Sequence, residues 1–318
     1  LSQMKEYLDF NATSPVSDET AKYMLQYLTE DFGNAGSRTH QTGSNAKKLV
    51  MESRESISKI FDADFSELIF TSGATESNNL AIFGLKKNAL ENGKNHIITS
   101  EIEHKAILDP AKEMELQGFK VSYVKPNKDG SIKASDVMKV VSEKTFLISI
   151  MHANNETGVI NDINEIFSEI KSKDPRIFTH TDMAQTFAKT RLDCTSKNID
   201  MASISAHKFF GPKGIGALLV RKNDGRSLPI SPLMFGGGQE KGIRPGTLPV
   251  HLIAGMSHAC KESRQNAENW HKKCEELKNE AIESFKNLDH RIYGDINNTL
   301  PNTLSISFCA FFLLSPST

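Results

Sequence analysis

The sequence has 318 residues, with 38 lysines and arginines against 39 aspartates and glutamates, so its formal net charge is −1. This length suits one large domain or two ordinary ones, and the near-neutral charge gives no reason to expect nucleic acid as a partner. Hydrophobic residues at 38% and charged residues at 24% indicate a globular protein and exclude a disordered or collagen-like chain. No apolar run approaches the roughly 20 residues that cross a bilayer, and charges interrupt Leu1–Phe10, so we expect a cytoplasmic protein without a signal peptide.

The cysteines are too few and too scattered for a disulfide framework, and none forms a Cys-x-x-Cys pair of the kind that binds zinc. We therefore expect no metal site, and any functional thiol acts singly. The four are Cys194, Cys260, Cys274 and Cys309.

Helical and strand patterns alternate along the first two thirds of the chain. Apolar residues at helical spacing predict a helix over Ala46–Phe61, and a further helix is predicted over Ser77–Leu90. Short runs rich in β-branched residues predict strands at Glu67–Thr71, His96–Ser100, Val121–Val124, Phe146–Met151, Arg176–Thr181, Ile199–Ser205 and Gly216–Arg221. The alternation predicts an α/β fold with a largely parallel or mixed sheet, whose ligands bind beyond the carboxyl ends of its strands.

The last third predicts a smaller unit. Val250–Leu288 has a long polar helical pattern, and strands are predicted at Arg291–Tyr293 and Leu304–Phe308. We place a large domain at 15–255 and a small α+β domain at 1–14 and 256–318. No terminal helix or cap follows the last strand, so we expect the small domain to be incomplete at its C-terminal end.

Ser72-Gly73-Ala74-Thr75 follows a predicted strand and opens a predicted helix. A glycine, free amides at a helix N-terminus and hydroxyl groups are the components of a phosphate site. An ordinary capped turn would have the same pattern. Neither a Walker loop nor a Gly-x-Gly-x-x-Gly fingerprint is present, so a mononucleotide-sized phosphate fits better than a dinucleotide.

Two further residues stand at strand ends. Asp182 is placed to hold a protonated heterocyclic nitrogen, although a helix N-cap is the simpler alternative. Lys208 precedes aromatic residues that would desolvate it and favour Schiff-base chemistry; it could also be a surface lysine, and Lys213 competes for the role. His104, after another strand, could be only a packing residue. Pyridoxal phosphate requires an anion site, a partner for its ring nitrogen and an amine, so one cofactor explains the set.

Several motifs resemble the cysteine desulfurases, the class-V branch of the fold-type-I pyridoxal-phosphate enzymes, in order and spacing across nearly the whole chain. The resemblance implies a large domain with a central, mostly parallel sheet and a smaller α+β domain. The matching segments are Tyr7–Thr13, Phe32–Asn34, Thr71–Ala81, Glu103–Ala106, Met151–Gly158, Ser205–Lys208, Gly211–Gly214 and Arg244–Pro249.

The resemblance implies a role for each matching residue. Lys208 binds the cofactor covalently and moves the Cα proton, Asp182 faces the ring nitrogen, and His104 stacks on the ring and assists proton transfer. Gln185 contacts the ring hydroxyl, and Asn155 lies near the ring oxygen and the substrate carboxylate. The phosphate is held by Ala74, Thr75, Ser205 and His207, and Thr247 completes the phosphate site of a partner subunit, which implies a homodimer.

The implied reaction converts L-cysteine to L-alanine and leaves a persulfide on a loop cysteine, for iron–sulfur cluster assembly or tRNA thiolation through an acceptor or scaffold protein. In the family that loop and an arginine for the substrate carboxylate follow the strand at Leu304–Phe308, and this sequence ends at Thr318 before either. Cys309 stands directly after the strand among phenylalanines, so we expect a buried bystander.

Two alternatives remain open. A chain that binds the cofactor but lacks desulfurase activity could serve as a scaffold or dimer partner in sulfur transfer. Another class-V activity, such as selenocysteine lyase, would use the same pocket. Absorbance of the bound cofactor and release of alanine and sulfide would separate these functions.

Overall fold

The computed structural model describes residues 6–190, 192–223 and 225–308. The helices are α1 (Asp18–Thr29), α2 (Gln41–Ser58), α3 (Ala74–Gly84), α4 (Lys86–Glu91), α5 (Lys105–Leu116), α6 (Ala134–Val140), α7 (Ile163–Lys173) and α8 (Val250–Phe285). The strands are β1 (Leu68–Thr71), β2 (His96–Ser100), β3 (Lys120–Val124), β4 (Thr145–Ser149), β5 (Phe178–Asp182), β6 (Met201–Ser205), β7 (Gly216–Val220), β8 (Lys222–Asn223), β9 (Arg226–Ser227), β10 (His290–Ile292) and β11 (Ile306–Phe308).

A seven-stranded sheet forms the centre of the protein, in the order β1-β7-β6-β5-β4-β2-β3. Strand β7 is antiparallel to both of its neighbours, and the other neighbouring strands are parallel. Every residue of β1, β2, β4, β6 and β7 is buried, as expected where helices cover both faces of a sheet. The predicted α/β class with a mostly parallel sheet is confirmed, and the carboxyl ends of β1, β2, β4, β5 and β6 share one edge.

The predicted strands all occur, with shifts of at most two residues at their ends. The helix predicted over Ser77–Leu90 differs more, because it begins earlier, at Ala74, and is divided between α3 and α4. The early start has a local cause. The Glu76 side chain accepts a hydrogen bond of 2.6 Å from the Ser72 amide, which closes the first turn over the segment interpreted as a loop.

The C-terminal part is built on α8, which is buried along its first half and exposed along much of its second. The paired strands β10 and β11 lie at its far end, where the rings of Phe285 and Phe308 are 5.1 Å apart. The predicted domain boundary at residue 255 falls inside α8. The division into a large and a small domain stays a prediction. No helix in the described part of the chain is long and apolar enough to cross a membrane.

Gly216 lies where the loop after β1 comes close to strands β6 and β7, at the carboxyl edge of the sheet. A Cβ atom on this residue would lie 2.4 Å from the carbonyl oxygen of Ile204 and 2.6 Å from the Cα of Gly73. Both atoms belong to backbone that cannot move independently of the sheet. Only glycine lets the loop after β1 lie directly against β6 and β7.

We expect Gly216→Ala to lower the free energy of unfolding by about 1–3 kcal/mol, the usual cost of forcing an extra carbon into a packed interior. Urea denaturation measures the change. Gly36→Ala is the matched control, because its added Cβ would meet only the flexible Asn34 side chain, at 3.2 Å. Equal stability of the two variants would contradict this account of Gly216.

Candidate active site

A cavity of about 950 Å³ opens at the carboxyl edge of the sheet. All but one of the predicted site residues line it. They are Ala74, Thr75, His104, Asn155, Asp182, Gln185, Ser205, His207 and Lys208. The exception is Thr247, which is exposed and lies outside the cavity wall.

One end of the cavity is suited to an anion. Helix α3 begins there at Ala74, and the amides of a first helical turn have no acceptors within the helix. Gly73 precedes it with φ 155° and ψ −178°, a conformation that is essentially restricted to glycine. A Cβ on Gly73 would lie 3.6 Å from Ser205 Oγ, so the turn and the end of β6 face each other closely.

An ion pair between Arg244 and Glu76 lies beside this anion site. Arg244 Nε donates to Glu76 Oε1 over 2.8 Å. Burial opposes ionisation of Glu76, but the hydrogen bonds from Arg244 and Ser72 outweigh it and lower the pKa of the carboxyl group. The pair also attaches the loop that carries Thr247 to the start of α3.

His207 is neutral at pH 7. Burial, followed by the charges of Lys208 and Lys213, lowers the pKa of its imidazole to about 4. Its Nδ1 lies 3.0 Å from Thr13 Oγ1. A neutral ring beside two lysines can hydrogen-bond an anion without adding a third positive charge.

Lys208 lies at the end of a single 3₁₀ turn that follows β6. Its ammonium donates to the carbonyl of Asn11 and, over 3.0 Å, to that of Ala12. Burial lowers the pKa of Lys208, while the charge of Asp182 opposes that shift. The competing Lys213 lines the same cavity but is exposed, so only Lys208 has the desolvated position that the sequence predicts.

Asp182 is the last residue of β5 and is 7% exposed. Its Oδ1 accepts from the Ala184 amide at 2.9 Å, and its Oδ2 accepts from Asn78 Nδ2 at 2.7 Å. The carboxylate therefore stabilises a local turn and forms part of the cavity wall, and it is not the helix N-cap of the alternative, because no helix follows β5 directly in the described part of the chain.

The N-terminal segment connects several of these residues. The carbonyl oxygen of Asn11 accepts from Gln185 Nε2 at 3.0 Å as well as from Lys208. Its side-chain amide donates to the Asn155 carbonyl over 3.3 Å. Neither Asn11 nor Asn78 was assigned a site role from the sequence, although each lies inside one of the matching motifs.

His104 is an exposed residue that both caps a helix and lines the cavity, and its predicted role at the cofactor ring stays a prediction. It is the N-cap of α5, where its Nδ1 accepts from the Ala106 amide at 3.1 Å. The same ring lines the cavity. Because Nδ1 is an acceptor here, a neutral ring carries its proton on Nε2.

Glu103, the residue before it, is buried beneath the site. Its Oε1 accepts from Ser100 Oγ at 2.7 Å and from the Met151 amide at 2.9 Å, while Oε2 has no partner among the described residues. Burial raises the pKa of Glu103 to about 8, and the charge of Asp182 adds to the shift. Glu103 is thus a neutral acid at pH 7 that joins the ends of β2 and β4.

Ionisation of Glu103 makes stability depend on pH. The folded protein keeps a proton that the unfolded chain releases above pH 4.5, so this residue lowers stability as the pH rises towards 8. We expect Glu103→Gln to be increasingly stabilised relative to the unsubstituted chain across that window, by at most about 1.4 kcal/mol per pH unit. Urea denaturation at several pH values measures the difference, with the exposed Glu143→Gln as control. A difference that does not vary with pH would contradict a protonated Glu103.

No cysteine among the described residues combines exposure with activation. Cys194 and Cys260 are buried and Cys274 is partly buried. Burial raises the pKa of Cys194 to about 11 and raises the pKa values of the other two thiols. Cys309, predicted to be a buried bystander, lies outside the described residues. Within residues 6–190, 192–223 and 225–308, no cluster of three or more histidine, cysteine, aspartate or glutamate side chains could hold a metal ion.

Comparison with known proteins identifies close relatives. Residues 6–312 match the family described as aminotransferase class-V. The cysteine desulfurase IscS of Vibrio vulnificus (strain YJ016) is 42% identical over 305 residues, which are 95% of this chain and 74% of the relative.

Solved structures show the same fold. A NifS-like protein superposes with a TM-score of 0.91 at 38% identity, over 96% of this chain and 82% of the other. SspA in complex with cysteine superposes with a TM-score of 0.82 at 38% identity, over 96% of this chain and 84% of the other. These likenesses confirm the predicted fold class.

Proposed function

Because the chain belongs to the class-V aminotransferase family and, within it, to the cysteine desulfurases, we propose that its cavity binds pyridoxal phosphate and acts on L-cysteine. The observation that carries the proposal is the placement of three groups around one cavity: the anion site at α3, the carboxylate of Asp182 and the desolvated amine of Lys208. SspA, whose solved structure contains cysteine, has the same fold and supports the choice of substrate.

The cavity residues fit the cofactor chemically. The first turn of α3, with Ala74 and Thr75, would hold the phosphate together with Ser205 and the neutral His207. Asp182 would hold the protonated ring nitrogen by charge. When bound, the cofactor supplies an electron sink for the electrons left on the substrate Cα after a proton is removed.

Lys208 is the group that would attach the cofactor and move the Cα proton. A lowered pKa leaves more of the amine unprotonated at neutral pH, which is the form that reacts with an aldehyde and accepts a proton. The carbonyls of Asn11 and Ala12 hold its nitrogen within the cavity.

Other residues would orient the ring and the substrate. The ring of His104 is fixed by its capping bond and leaves Nε2 available to exchange a proton. Gln185 would contact the ring hydroxyl, and Asn155 would lie beside the substrate carboxylate. Both side chains line the cavity.

The thiol that receives the sulfur is not among the described cysteines on this proposal. Burial keeps Cys194 and Cys260 protonated and inaccessible, and it also raises the pKa of the partly buried Cys274. A sulfur acceptor or scaffold protein would take the product for iron–sulfur cluster assembly or tRNA thiolation.

We propose further that the protein is a homodimer in which Thr247 completes the phosphate site of the partner subunit. The segment that carries Thr247 is held rigidly, by Arg244 bound to Glu76 and by Glu240, which accepts from Arg54 and from the Phe70 amide. Thr247 itself is exposed outside its own cavity. Large apolar side chains are exposed just before this segment, at Leu233, Met234 and Phe235.

An interface at this face predicts that Phe235→Asp converts a dimer to a monomer, because a charge would be buried against apolar surface. Phe235 is 89% exposed in the single chain. Light scattering measures the mass, and Leu116→Asp is a matched control because Leu116 is 83% exposed at the end of α5. An unchanged dimer in the Phe235→Asp variant would place the interface elsewhere.

Covalent labelling tests the assignment of Lys208. After incubation with pyridoxal phosphate and reduction with borohydride, we expect peptide mapping to place the pyridoxyl group on Lys208, with no labelling in Lys208→Arg. Labelling of Lys213 instead would overturn the assignment but retain cofactor binding. Absence of any labelled lysine would contradict the proposed function.

Release of alanine and sulfide from L-cysteine measures the activity itself. We expect the protein loaded with pyridoxal phosphate, without borohydride reduction, to form alanine when a thiol acceptor is supplied, because reduction would fix the cofactor to Lys208 irreversibly. Cofactor binding without alanine release would favour the alternative of an inactive partner in sulfur transfer.

A further inference from the structure

Asn78 is a fully buried polar residue for which neither the sequence nor the proposed function has a role. It lies on α3, four residues after Ala74, so both residues are on the same face of the helix. Its Nδ2 donates to Asp182 Oδ2 over 2.7 Å, across 104 positions of sequence.

The orientation of the Asn78 amide follows from its surroundings. Its Oδ1 is buried and has no hydrogen-bond partner among the described residues. Exchanging the amide oxygen and nitrogen would place that oxygen against a carboxylate oxygen, which accepts but cannot donate. The amide must therefore present its NH₂ group to Asp182, even though its own carbonyl remains unpaired.

The other oxygen of Asp182 is held by the Ala184 amide at 2.9 Å. Asn78 and Ala184 therefore bind one oxygen each, which restricts rotation of the carboxylate. Ala184 belongs to the turn after β5, whereas Asn78 belongs to the helix that begins at the anion site. A single rigid helix thus connects the two ends of the cavity.

We propose that Asn78 is a positioning residue, which fixes the Asp182 carboxylate relative to the phosphate site through α3. The inference rests on the proposed function, because Asp182 is the residue assigned to the ring nitrogen of pyridoxal phosphate. A helix of fixed length sets the distance between anion site and carboxylate to match a ligand that has a phosphate at one end and a basic ring nitrogen at the other.

If Asn78 has this role, its replacement must weaken the binding of a ligand that has the ring nitrogen and leave unchanged the binding of one that lacks it. The probes are pyridoxal phosphate and its analogue in which a CH group replaces the ring nitrogen. The analogue has the same phosphate and aldehyde groups but cannot pair with Asp182. Dissociation constants are measured by absorbance titration of the cofactor-free protein with each probe.

We expect Asn78→Ala to weaken binding of pyridoxal phosphate by at least about tenfold, the lower end of what a lost hydrogen bond to a charged group costs. Binding of the analogue should be the same in Asn78→Ala and in the unsubstituted chain. The matched control is Asn79→Ala, since the side chain of Asn79 donates only to the Thr75 carbonyl within the same helix. This control should bind both probes normally.

Asn78→Ser is the second variant, because serine is polar but too short to reach Asp182. It is used in place of Asn78→Ala if the alanine variant does not fold. Circular dichroism establishes that each variant is folded. Equal affinity of the Asn78 variants and Asn79→Ala for pyridoxal phosphate would overturn the inference. Equal weakening of both probes would also overturn it, since Asn78 would then act only on general packing.

The same experiment separates the inference from the proposed function. If the unsubstituted chain binds pyridoxal phosphate and is labelled on Lys208, the proposed binding site stands whatever the Asn78 variants do. If the unsubstituted chain binds neither probe and is not labelled, the proposed function fails.

Discussion

Burial at the carboxyl edge of the sheet shifts several neighbouring ionisable groups towards their neutral forms, and the candidate chemistry depends on that shift. Desolvation lowers the pKa of Lys208, lowers the pKa of His207 to about 4 and raises the pKa of Glu103 to about 8. In each case the neutral form is favoured, as expected where water is excluded. The carboxylate of Asp182 accepts hydrogen bonds from Asn78 and from the Ala184 amide.

This arrangement separates the tasks within one cavity. On the proposed function, Lys208 provides the amine and Asp182 faces the ring nitrogen, and both residues line the cavity. The charge of Asp182 adds to the effect of burial in raising the pKa of Glu103, so Glu103 adds no second negative charge beneath the site. The buried acid acts instead as a hydrogen-bonding link between β2 and β4.

The frame that holds these groups is made of close backbone contacts. Gly216 allows the turn before α3 to lie against β6 and β7. The N-terminal segment closes the cavity on another side, where the Ser14 amide and hydroxyl both donate to the His207 carbonyl, at 2.9 and 2.8 Å. Residues from both ends of the chain thus surround Lys208, and none of these contacts depends on a flexible side chain alone.

Much of this organisation follows from local sequence patterns. Strand positions can be predicted because β-branched runs end at polar residues. Asp182 and Lys208 become candidates because the first directly follows such a run and the second comes three residues after one. The segment Ser72–Thr75 is also recognisable as a candidate phosphate site, although an ordinary capped turn has the same local pattern. Each of these signals is contained within about ten residues.

The contacts that give the site its properties are not local, and only the tertiary structure decided them. Asn78 contacts Asp182 across 104 positions, and Asn11 contacts Gln185 across 174. The neutral state of Glu103 depends on burial beneath β2 and β4, and the position of Thr247 outside its own cavity depends on where its loop is attached. A sequence pattern specifies which residue types are present. The electrostatic state of a residue and its partners depend on which distant segments pack around it, because solvent exclusion and hydrogen bonding arise only when the chain folds.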